Sequence, residues 1–150
     1  MTIAVAVQYG TRRPWAPGVP TLRRWAQAAA VTSTAAALGI RVVGVAESRR
    51  LNRVYRGQDR PANVLSFDAD RREAAAAGLL GDLAICAPVV AREARQQGKA
   101  LPAHWAHMVV HGTLHLLGYR HDRPRETAVM EAREQAILAA LGYGDPYEAH

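Results

Sequence analysis

The sequence predicts an α+β fold, a mixed sheet of about four strands packed with about five helices. Two observations predict it. Short, β-branched or alternating apolar stretches fall at Ile3–Tyr9, Ile40–Val45, Asn63–Phe67 and Leu80–Cys86, and stretches with helical spacing separate most of them. The resulting order, β-α-β-α-β-β-α-α-α, interleaves the two kinds of element and then closes on a run of helices. No internal repeat, heptad array or low-complexity linker divides the 150 residues, so one domain spanning 1–150 is expected.

Taken in order, Ile3 to Tyr9 alternates small apolar residues and reads as a strand. Arg12 to Pro20 carries Pro14, Pro17 and Pro20 and reads as a loop, because proline lacks the amide proton that regular structure needs. Thr21 is the expected N-cap of an Ala-rich helix from Leu22 to Leu38, closed by Gly39. A strand follows at Ile40–Val45, then a short helix at Glu47–Tyr55 with Leu51 and Val54 inward. Gly57 to Pro61 reads as a turn, Asn63–Phe67 as a strand, and Asp68–Gly78, charged and Ala-rich, as a mobile loop. Leu80–Cys86 is the fourth strand and Val89–Gln97 a helix behind it. Helical spacing then predicts Pro102–Leu117, stopped by Gly118, and Glu126–Leu141, stopped by Gly142.

Composition narrows the function classes. Apolar residues make up 49% and charged residues 21%, the balance of a globular chain rather than a disordered tail. No apolar run reaches the roughly 20 residues of a membrane-spanning helix. The start lacks the basic opening and apolar core of a signal peptide, and the single Cys86 forms no intramolecular disulfide. A cytoplasmic protein that engages no membrane is therefore expected. The net charge is +6, and of the 19 basic residues all but Lys99 are Arg. Arginine's planar fork of donors suits phosphate, so a polyanionic partner fits. The many Ala and scarce Lys, however, also fit a compositional bias that supplies Arg without selecting it for binding.

Chemistry concentrates in one segment. Of the 6 histidines, all but His150 fall between His104 and His121. His111 and His115 are four apart and project from one helical face. Gly118 accommodates a positive φ, so it ends the helix and returns the chain, which lets His121 approach the same point. Three imidazoles with an open fourth position form the layout of a catalytic zinc site, whereas structural sites close with four protein ligands. Copper, nickel and iron also accept nitrogen ligands. Zincin proteases place Glu directly after the first His as general base, and here that position is Gly112. A bound ion needs no carboxylate to make hydroxide, since it lowers the pKa of water from about 15.7 to about 7. A phosphodiester is a compatible electrophile.

The string from His111 to His121, His-Gly-Thr-Leu-His-Leu-Leu-Gly-Tyr-Arg-His, resembles the signature of the bacterial YbeY family, rRNA maturation factors and zinc-dependent endoribonucleases. Leu51–Phe67, Leu80–Cys86 and Met130–Tyr143 resemble three further blocks in family order; the first forty residues carry little of the likeness. The resemblance implies that His111, His115 and His121 are the metal ligands. It implies that Arg56 is the essential basic residue beside the metal, where a guanidinium can hold a phosphate and stabilise charge developing on its oxygens. The implied activity is single-strand-specific cleavage in maturation of the small-subunit rRNA 3′ end and in ribosome quality control. The implied partners are single-stranded and ribosomal RNA and the small subunit or its proteins, with a monomer favoured.

One departure stands out. The family usually has Asp between the Tyr and the third His; this chain has Arg120 there, with Asp122 just after His121. Asp122 is a candidate to replace that Asp, and Arg120 is expected to face solvent, available to phosphate. His107, one turn before His111, reads either as a nitrogen near the site or as a buried, hydrogen-bonded side chain. His104 and His150 are expected to face solvent. Asn63 and Ser66 are candidate RNA contacts in the cleft, Val64 and Phe67 core. Asp82 fits a metal-supporting acid, a turn cap or a substrate contact. Cys86 and the three Trp residues are assigned to packing. Two other functions compete: a non-catalytic RNA- or ribosome-binding assembly factor with a structural zinc, and a zinc hydrolase of peptides or small molecules, which Gly112 disfavours.

Overall fold

The computed structural model describes residues 2–69 and 78–148. Within them lie β1 (Ala4–Tyr9), α1 (Val19–Ala29), β2 (Ala37–Val43), α2 (Val45–Arg56), β3 (Val64–Asp68), β4 (Leu79–Cys86), α3 (Ala87–Gln97), α4 (Leu101–Leu116) and α5 (Pro124–Ala140). This is the expected α+β fold. The sheet order is β1-β2-β4-β3, with β1, β2 and β4 parallel and β3 antiparallel to β4. Parallel neighbours need crossovers, which the interleaved helices supply.

Alternation along the strands builds two layers of core. Leu83 and Ile85 of β4 face the larger core, where Trp25 and Leu22 of α1 meet Trp105 and Leu114 of α4. Ala84 and Cys86 face the other side, with Leu65 of β3 and Val89 of α3, and Leu51 of α2 packs there. Helix α4 is the centrepiece, with eleven of its sixteen residues buried. A helix enclosed to that degree reads as apolar on most of its faces, and its histidines are held by packing.

The first helix departs most from expectation. It starts at Val19, capped by Gly18 rather than Thr21, with Pro20 in the first turn where its missing N–H costs nothing. It ends at Ala29 rather than Leu38. Beyond it lie the β-branched Val31, Thr32 and Thr34, and the Ser33 hydroxyl accepts the Ala35 N–H at 3.0 Å, which competes with helical bonding. The segment assigned to the end of that helix instead forms β2, where Leu38 pairs with Val5 and is 1% exposed. Sheet burial overrode alanine's helix propensity. The other boundaries shift by a few residues at most. Asp68, assigned to the following loop, ends β3, and the loop expected over residues 70–77 lies outside the described residues.

Candidate metal centre

Three elements build the site. Helix α4 presents His111 and His115. Helix α4 is capped by Leu117, and Gly118 follows at φ 104°. The Tyr119 N–H then reaches back to the Leu114 carbonyl at 3.1 Å. That reversal carries His121 back over the helix end. Ring centroids lie 5.5 Å apart for His111 and His121 and 5.8 Å for His115 and His121. All three rings line one cavity of about 260 Å³ with Arg56, Ala62, Asn63, Val64 and Ser66.

Gly112 explains how α4 comes so close to the sheet. A Cβ there would meet Leu83 Cδ2 at 2.9 Å and Val64 Cγ2 at 3.0 Å. Its carbonyl accepts the Ser66 hydroxyl at 3.1 Å, which ties α4 to β3. Arg56 reaches the cavity from the last turn of α2. It is exposed, and its Nη2 lies 3.5 Å from the Ser66 carbonyl, a long contact that leaves most of its donors free. Burial lowers the pKa of His115, and the nearby Arg120 and the other two histidines add to that effect. Its lone pair is therefore available near neutral pH.

Sequence reasoning missed Glu134 of α5. Its side chain is fully buried, with Oε1 2.6 Å from His111 Nδ1 and Oε2 3.1 Å from His107 Nε2, and it accepts the Tyr147 hydroxyl as well. Burial pushes its pKa up, but the bonds from His107, His111 and Tyr147 outweigh that and hold it at about 2. Ligand atoms of His107, His111 and Glu134 lie within 4.8 Å of one another, so this His/His/Glu group could hold a metal ion. Glu134 falls in the Met130–Tyr143 block, but Glu126 and Glu131 share its helix, and spacing alone does not single it out.

The remaining candidates fall on both sides of expectation. His107 is buried and hydrogen-bonded. His104, expected at the surface, is 2% exposed with Nε2 2.9 Å from Glu93 Oε1, because α4 is enclosed on that side too. Asn63 lines the cavity, yet its amide donates to Glu93 at 3.1 Å and its Oδ1 accepts the Val64 N–H at 2.6 Å. It shapes the strand start before it contacts anything else. Asp82 is exposed beside Gly39 and does not line the histidine cavity. Trp25 and Trp105 are buried as expected, whereas Trp15 is 41% exposed. His150 lies outside the described residues.

The sequence profile of the family described as Endoribonuclease YbeY matches residues 19–142. The chain belongs to the YbeY family. It is 52% identical over 148 residues to the Endoribonuclease YbeY of Stenotrophomonas maltophilia (strain R551-3), covering 95% of this chain and 92% of that one. Against the protein of the same name from Halorhodospira halophila (strain DSM 244 / SL1) it is 59% identical over 114 residues, 74% of each chain. The solution structure of TM1509 from Thermotoga maritima shares the fold, with a TM-score of 0.56 at 18% identity over 96% of this chain and 99% of that one.

Within this YbeY chain Arg120, expected to face solvent, folds back. Its Nη1 donates to the His115 and Tyr119 carbonyls at 3.0 Å each, placing a cation at the helix C-terminus where the dipole favours it. Asp122 is exposed. The carboxylate that contacts a histidine of the cavity is Glu134, through His111.

Proposed function

We propose that this chain is a single-strand-specific, zinc-dependent endoribonuclease acting in maturation of the small-subunit rRNA 3′ end and in ribosome quality control. The observation that carries this reading is the meeting of His111, His115 and His121 with Arg56 in one cavity. Family membership and the relatives' name, Endoribonuclease YbeY, support the reaction class. Three imidazoles are a donor set suited to zinc, with other nitrogen-binding transition metals as competitors. His111, His115 and His121 would hold the ion, which when bound supplies Lewis acidity and lowers the pKa of water.

The protein's own groups do the rest. Arg56 stands at the mouth with free donors, placed to grip non-bridging phosphate oxygens and to favour their added charge in the transition state. Gly112 leaves no side chain between the histidine face and the sheet, so no zincin-type carboxylate base operates from that position. The cavity is shared by α2, α4 and the edge strand β3, and the exposed Arg53 and Arg60 flank Arg56 in sequence. Exposed arginine donors at this cavity suit the backbone of a flexible strand. No helix among the described residues is long and apolar enough to cross a membrane. Cytoplasmic location, a monomeric state and contact with the small ribosomal subunit complete the proposal.

The test is cleavage of single-stranded RNA by nuclease-free protein, with His115→Ala and Arg56→Ala as controls that remain folded. Loss of cleavage in both is expected; full activity in either refutes the mechanism. Product ends identify the nucleophile, since water attack leaves a monophosphate and 2′-hydroxyl attack a cyclic phosphate. Binding without any metal-dependent cleavage would favour the assembly-factor reading instead.

A further inference from the structure

Glu134 is the sole buried carboxylate among the described residues. An ionised carboxylate only accepts hydrogen bonds, so each of its three partners must donate. The 2.6 Å contact therefore places the His111 proton on Nδ1 and leaves Nε2 with its lone pair. The 3.1 Å contact likewise places the His107 proton on Nε2. An independent observation agrees: His107 Nδ1 is buried with no hydrogen-bond partner. A bare lone pair tolerates that position better than an N–H donor would, because an orphaned buried donor loses its hydration without replacement. The third donor, Tyr147, comes from the segment after α5 and closes over the same oxygen that His107 uses.

We propose that Glu134 is a positioning residue that fixes the tautomer and ring orientation of His111, and that Tyr147 latches Glu134 in place from the C-terminal segment. The proposal rests on the reading of His111 as a metal ligand. It gives Glu134 the part that outer carboxylates play for metal-bound histidines, where loss of the partner lowers metal affinity about 10- to 100-fold. It also separates the His107, His111 and Glu134 group from direct coordination, because the two histidine nitrogens that face Glu134 carry protons and offer no lone pair to an ion.

Two measurements on the full chain test it. Long-range ¹H–¹⁵N NMR of the metal-free protein at pH 8 reads the neutral tautomer of each histidine. His111 is expected as the Nδ1–H form in the wild type and in Glu134→Gln, whose amide oxygen still accepts, and as a mixture in Glu134→Leu. Zinc(II) affinity, measured by competition with a chromophoric chelator, is expected to fall about 10- to 100-fold in Glu134→Leu. It should fall less in Tyr147→Phe and stay near wild type in Glu134→Gln. If Glu134→Leu does not fold, Tyr147→Phe carries the affinity test alone. An Nε2–H tautomer for wild-type His111, or unchanged zinc affinity in Tyr147→Phe and Glu134→Leu, overturns the positioning role and leaves the nuclease reading standing. Zinc affinity abolished by Glu134→Leu but untouched by His115→Ala overturns it differently, making Glu134 a ligand. A wild type with the expected tautomer that binds no zinc refutes the metal assignment itself.

Discussion

Gly112→Ala adds one methyl group at the point where α4 lies against the sheet. Two effects oppose each other. Alanine favours a helix over glycine by about 1 kcal/mol. The new Cβ, however, would stand 2.9 Å from Leu83 Cδ2 and 3.0 Å from Val64 Cγ2, closer than ordinary van der Waals contact, and Leu83 is only 1% exposed. Overpacking of this kind costs about 1–3 kcal/mol. Because Leu83 is wedged in the larger core, little relaxation is open to it, and a net loss of about 1 kcal/mol follows. That corresponds to a fall in Tm of about 2–4 °C. Relief by lifting α4 would move His111 and His115 away from β3 and Arg56, so cleavage should fall by more than the loss of folded protein explains. Urea unfolding, thermal melting and single-turnover RNA cleavage on the same preparations measure both effects. A variant more stable than wild type, with full activity, would refute the close approach. Gly112→Glu, which imitates the zincin pattern, should fail to fold, since it forces a longer, charged side chain into the same gap.

Four other outcomes are expected. Chelation should lower Tm, and restoring zinc to a hundred times its Kd should return about 2.7 kcal/mol, as calorimetry with and without metal would show. RNA affinity should fall steeply as salt rises, with a shallower slope in Arg56→Ala, measured by fluorescence anisotropy. Acid stability should depend on Glu93. Burial raises its pKa, but bonds from His104 and Asn63 prevail and hold it below the 4.5 of a free Glu, so its contribution is complete above that pH and is lost as pH falls through the depressed native value. Urea titrations should therefore show a steeper loss below pH 4.5 in the wild type than in Glu93→Gln. Finally, Trp105→Ala, which empties a fully buried site in the larger core, should cost about 3–5 kcal/mol by equilibrium unfolding.

What the sequence revealed depended on how local the cause was. His111 and His115 were legible because helical spacing alone sets their common face, and His121 because a glycine marks the reversal. The helix-to-strand exchange around Leu38 was not legible, since only pairing with Val5 of β1 shows that the residue belongs in a sheet. His104 was misplaced for a similar reason: its partner, Glu93, sits on another helix. Glu134 was hidden because a single acid among many on a helix is marked only by what folds against it.

The outermost position of β3 has a practical bearing. Strand rims invite pairing with other chains, and proteins blunt them with brevity and charge. Here the rim is five residues long, ends on Asp68, and has Arg56 reaching toward its Ser66 carbonyl. The guanidinium proposed to grip phosphate thus also stands beside this rim. Neutralising it exposes a ready template for strand addition, so concentrated samples of Arg56→Ala should self-associate in light scattering while the wild type stays dispersed.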